Sequence, residues 1–164
     1  MTRFVCLAFC FFLVVAGCGG SADEEAAEKR IEAATGGEAE VDVSEGSMEV
    51  KGRTDEGEYS MRAGEKTEIP EDFPGDVFIY QPSEASMSMK VPEGQSLTLT
   101  TPDDRAKVME TYKEKMEANG WSEEGSMNMG GQMMLVYKKG GRVANVSTVE
   151  TDGKTQITLT VAAE

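Results

Sequence analysis

The apolar positions of this chain follow three rhythms. Phe4 to Val15 is an unbroken apolar run of 12 residues directly behind Arg3. From Val41 to Gly64 the pattern alternates in short bursts: Val41 and Val43, then Met48 and Val50, then Tyr59 and Met61. Glu45-Gly46-Ser47-Met48-Glu49-Val50-Lys51-Gly52 repeats at an offset of 11 as Glu56-Gly57-Glu58-Tyr59-Ser60-Met61-Arg62-Ala63. Period-two alternation broken by glycine predicts three short strands joined by tight turns. Beyond a Pro/Gly-rich stretch, Ser86 to Val91 and Ser96 to Thr100 alternate again around the turn Pro92-Glu93-Gly94-Gln95, which predicts a hairpin with Leu97 and Leu99 on one face.

The third rhythm is helical. Val108, Met109, Tyr112 and Met116 form a stripe at 3.6-residue spacing, with Lys107, Glu110, Glu114 and Glu117 elsewhere. Thr101-Pro102-Asp103-Asp104 predicts the start, with Thr101 as N-cap and Pro102 at the first helical position. Gly120 predicts the end, with Trp121 folding back on the last turn. Four strands are expected after it, at about 121–128, 132–138, 142–150 and 155–163, with turns at Gly130-Gly131, Gly140-Gly141 and Asp152-Gly153. These elements predict an α+β fold: one helix packed on a twisted antiparallel sheet in the order ββα-ββββ, preceded by a separate acidic β-hairpin repeat and a flexible tether. The expected divisions are a leader at 1–17, a tether at 18–40, the repeat at 41–64, a Pro/Gly boundary at 65–76 and the α+β domain at 77–164.

The first apolar run changes the picture most. Twelve residues give a helix of about 18 Å, short of the roughly 30 Å of a bilayer core. A short run behind one positive charge and before small residues is the h-region of a signal peptide. It ends in Val15-Ala16-Gly17-Cys18. This segment resembles the lipobox of bacterial lipoproteins, a branched aliphatic, two small residues and a cysteine. The resemblance implies that Cys18 receives a diacylglyceryl group, that the chain is cut before it, and that the new amino group is acylated, for instance with palmitate. Two or more acyl chains hold a protein stably on a bilayer. Gly19, where Asp does not stand, implies the periplasmic face of the outer membrane if the cell is Gram-negative. The lipobox, an acidic linker, the Phe73-Pro74 boundary and a small domain are together similar to small envelope lipoproteins of uncharacterised function, a likeness that assigns no role to any residue.

Charge and composition narrow the function classes. The 164 residues hold 30 acids, 16 bases and no histidine, a net charge of -14. The excess is uneven, -11 over residues 19–72 and -4 over 73–164. So acidic a chain does not hold a phosphate backbone, and nucleic acid is not an expected partner. Without histidine there is no His-based triad, zincin site or blue-copper site. Cys6 and Cys10 leave with the leader and Cys18 becomes a thioether, so no thiol nucleophile is expected. The adjacent acids Asp103/Asp104 and Glu123/Glu124 read as capping and surface residues, and Gly153-Lys154-Thr155 reads as a hairpin turn.

Methionine is the unusual component, with 11 in the chain. Met87 and Met89, and again Met127 and Met129, place two thioethers on one strand face. Such positions read first as a pliable core, since Met87 and Met89 share a face with Val91. The alternative is a Cu(I) or Ag(I) site built on those two pairs, because thioethers are soft ligands. The function expected is a lipid-anchored, non-enzymatic envelope protein acting as an interaction or structural module. It is expected to need no cofactor, and its partners are the membrane, through Cys18, and an unknown envelope protein.

Overall fold

The computed structural model describes residues 28–33, 37–44, 46–65 and 67–164. The leader, Cys18 and most of the expected tether lie outside them. Nine strands and one long helix follow in order: β1 (Glu38–Ser44), β2 (Ser47–Thr54), β3 (Gly57–Gly64), β4 (Glu84–Val91), β5 (Gly94–Thr101), α1 (Arg105–Ala118), β6 (Ser122–Met129), β7 (Gln132–Lys139), β8 (Arg142–Thr151) and β9 (Lys154–Ala163).

The expected ββα-ββββ fold with a separate repeat is overturned. The chain is mostly β. All nine strands form one antiparallel sheet in the order β1-β2-β3-β4-β5-β9-β8-β7-β6. The repeat is not a detached hairpin, because β3 pairs directly with β4 from Ser60↔Lys90 to Ala63↔Met87. A detached repeat would leave the backbone groups along β3 and β4 as two further open edges, and joining them satisfies both. The chain meanders from β1 to β5, crosses one face as α1, and meanders back from the far edge to close on β5 through β9.

The helix shows how far local chemistry decides. Its buried residues are Val108, Met109, Tyr112 and Met116, the stripe the periodicity predicts. Its end is a Schellman motif: Gly120, at φ 82°, donates its N–H to Glu117 O at 2.9 Å, and Trp121 donates to Met116 O at 3.0 Å. Its start is corrected. The N-cap is Asp104, whose carboxylate accepts the Lys107 N–H at 3.0 Å. Thr101 instead closes β5, fully buried and paired with Thr155, and its hydroxyl accepts the Asp103 N–H at 3.3 Å. The helix begins at Arg105, four residues past Thr101, so the first-turn amides lie beyond the reach of its hydroxyl and fall to Asp104.

The sheet changes sides half-way across. One ladder row reads Asp42, Glu49, Arg62, Ser88, Leu97, Leu159, Val146, Leu135 from β1 to β7. On this inner face the β1–β3 end is charged, while the β5–β7 end is the core under α1, with Leu97, Leu135, Val146 and Leu159 fully buried. The matching row on the outer face reads Val43, Met48, Ala63, Met87, Thr98, Thr158, Ser147, Met134, Met127. There the apolar residues lie towards the two ends and hydroxyls fill the centre.

Two further contacts fix the periphery. Glu28 accepts the edge amide of Val41 at 3.2 Å, and Glu32 that of Ala39 at 3.5 Å. Residues 28–33 are helical, and they block the free edge of β1 in the way natural sheets avoid strand addition. At the other end of the core, Asp76 accepts both guanidinium nitrogens of Arg142, at 3.1 and 2.6 Å, and pairs with Lys139 at 2.8 Å. The Asp76 carbonyl accepts the Trp121 indole N–H at 2.8 Å and the Asn119 amide at 3.1 Å. Arg142 and Lys139 also sit over the Trp121 ring, 5.1 and 5.9 Å from its centre. The loop between β3 and β4 is thereby tied to the end of α1 and to the β7–β8 turn.

Candidate interaction surface

The inner face at the β1–β3 end offers charge, but the charges are already matched. Glu49 takes Lys51 at 2.9 Å and Arg62 at 2.8 Å, Arg53 pairs with Glu58, and Lys90 with Asp72. The hydrogen bond from Lys51, with that from Arg62, holds the Glu49 carboxyl below its usual range. A shallow open cleft of about 630 Å³ lies here, lined by Glu40, Lys51, Arg53 and Lys90 among others. With these cations paired, it presents no concentrated field for an anion, and exposed pairs of this kind add little to stability.

The outer face is different. From β4 to β6 neither α1 nor the loop core covers it. Its centre is a lawn of half-buried hydroxyls and amides: Ser96, Thr158, Thr160, Asn145 and Ser147, with Thr98 buried beneath. Several are held by neighbours. Ser96 donates to Leu159 O at 3.0 Å and lies 3.4 Å from the Thr160 hydroxyl, and Gln132 donates to Ser147 at 2.7 Å. Towards the rims stand exposed apolar side chains, Met87 at 41 %, Met89 at 40 %, Met127 at 48 %, Met129 at 64 % and Val149 at 37 %. From β4 to β6 the face spans five strand spacings, about 24 Å, by about 25 Å along the strands, or roughly 600 Å². That approaches the ~800 Å² per partner of a standard interface.

The four methionines singled out in the sequence are therefore not core. A register shift between Ala85 and Met87 inserts an extra residue into β4. Ala85 lies opposite Leu99 and Ser88 opposite Leu97 on the inner face, so Met87, Met89 and Val91 are turned outwards. All four share the outer face, but β5, β9, β8 and β7 separate one pair from the other. What the sequence pattern did not single out is the direct partner of each pair: Met61 stands opposite Met89, and Met134 opposite Met127. The hydroxyl lawn was also missed. Its only signal is the alternation of Thr98, Thr100, Thr158 and Thr160 with core aliphatics. Among the described residues, no cluster of three or more His, Cys, Asp or Glu side chains can hold a metal ion.

Residues 81–160 match a family model described as START domain-like. The match runs from just before β4 into β9, a little under half of the chain, and takes in α1, most of the core and the whole outer-face lawn. This likeness fits a ligand-binding or interaction module. β1 to β3 lie outside the matched range. No curated protein and no solved structure matches the chain.

Proposed function

We propose that this protein is a lipid-anchored, non-enzymatic interaction module of the bacterial cell envelope, docking an envelope protein through the outer face of its sheet. The observation that carries the reading is that face: wide, free of helix, hydroxyl-rich at the centre and apolar towards the rims. The likeness to a START-like family supports a binding role in general terms. The lipobox-like Val15-Ala16-Gly17-Cys18 supports the anchor. Acyl chains on Cys18 supply the membrane affinity at about 0.8 kcal/mol per buried CH₂. Residue 28 stands ten positions beyond Cys18, a reach of at most about 36 Å. Because residues 28–33 are bound to the edge of β1, that edge is the membrane-proximal one. The net charge of -15 left once the leader is removed keeps the domain off anionic headgroups, leaving the outer face open to a protein partner. A face of roughly 600 Å² suits a transient complex rather than an obligate one.

The anchor is tested by the intact mass of the protein purified from its native membranes. The expected chain begins at Cys18 and carries a diacylglyceryl group, with or without a third acyl chain. A chain that keeps residues 1–17, or one that begins near residue 18 with a free amine and no lipid mass, would show that the protein has no such anchor.

A further inference from the structure

We propose that the outer face carries two soft-metal sites, each made of three thioethers: Met61, Met87 and Met89 in one, and Met127, Met129 and Met134 in the other, both selective for Cu(I) or Ag(I). The two sites share one plan. On a strand, residues i and i+2 point to the same side, about 7 Å apart. That holds for Met87 and Met89 on β4 and for Met127 and Met129 on β6. In each case a third methionine stands directly across the ladder from one member, Met61 from Met89 and Met134 from Met127. Directly opposed residues lie ~4.5–5.5 Å apart at Cα, and the diagonal neighbour ~7–8 Å, within reach of long side chains. Three flexible torsions per methionine let the three sulfurs converge above the sheet. Neutral thioethers are soft donors and match a soft monovalent ion, not Zn²⁺ or Mg²⁺.

Packing does not explain the two i, i+2 pairs, while Met61 and Met134 are half-buried beside them. Met109 and Met116 are buried under the sheet and Met133 packs against the core, whereas the four methionines of the two i, i+2 pairs are 40–64 % exposed. The full chain has no histidine to compete for such an ion. Five strand spacings, about 24 Å along the sheet, separate the two groups, so they bind independently. The proposal needs neither the membrane anchor nor a protein partner.

The probe is Ag(I) added to the purified mature chain in chloride-free buffer, read by native mass spectrometry and by the methyl resonances of methionine. The expected result is two ions bound per chain, with the methyl signals of the six named methionines moving and those of Met109 and Met116 still. Met89→Leu is expected to lose one ion, and Met89→Leu with Met127→Leu to lose both. Leucine nearly conserves the volume, so the fold is retained, as an unchanged melting curve checks. The proposal fails if the wild-type methyl signals of the six residues do not move. It fails equally if the double variant binds as many ions as the wild type.

Discussion

Trp121→Ala is expected to lower the stability of the fold by about 3–5 kcal/mol, the range for removing a large buried aromatic side chain. Trp121 is only 2 % exposed and belongs to the main core. Its ring lies under Arg142 and Lys139, and its indole N–H is held by the Asp76 carbonyl. The backbone of Trp121 would still close the Schellman motif, so α1 should keep its end while losing the plug between that end and the β3–β4 loop. Urea unfolding measures the effect. A loss below about 1 kcal/mol would mean that the ring is not an integral part of the core.

Asp76→Ala is expected to remove a contribution that has its own pH signature. The Arg142 guanidinium, with help from Lys139 and against the cost of burial, pulls the Asp76 carboxyl down from 3.8 to about 2. In the unfolded chain that carboxyl ionises near its ordinary value. Its contribution to stability is therefore complete above about pH 4 and is lost as the pH falls through about 2, a difference of about 2 kcal/mol. The variant should be less stable than the wild type at pH 7 by about that amount, and the gap should close between pH 4 and pH 2. Unfolding curves for both proteins at pH 7, 4, 3 and 2 check this. A gap that stays constant down to pH 2 would show that Asp76 acts through packing alone.

Much of the secondary structure is legible in the sequence because it is set locally. The stripe of α1 follows from 3.6-residue spacing, and its end follows from one glycine. Asp152-Gly153, with φ of 54° and 72°, forms the tight hairpin turn that the dipeptide signals. Architecture is less legible, because alternation says which residues share a face and not which face it is. Val41 and Val43 alternate much as Leu97 and Leu99 do. Yet the first pair lies on the outer face and the second on the inner. Nothing within β3 or β4 alone reveals that they pair, since the 19 residues between them form no hairpin turn. The single extra residue in β4 then reverses the reading of Met87 and Met89. Thr101 fails as a cap for a related reason: the sequence offers a second capping side chain three residues on, Asp104, and the helix starts there while Thr101 ends β5.

The site shares this limit. The methionine pairs are visible as i, i+2 spacing, but their partners Met61 and Met134 arrive through β3 and β7, and only the register shows them. The hydroxyl lawn belongs to strands from both halves of the meander, which meet at the β5–β9 seam.

A partner is expected to meet the outer face and not the charged inner end. Site-specific photo-crosslinking in the intact envelope tests it, with the reactive group placed in turn at Thr158 or Ser147 on the outer face and at Ser60 or Lys51 on the charged inner face. One discrete protein adduct is expected from Thr158 and Ser147 and none from Ser60 and Lys51. No adduct from the outer positions, or the same adduct from both faces, would contradict it.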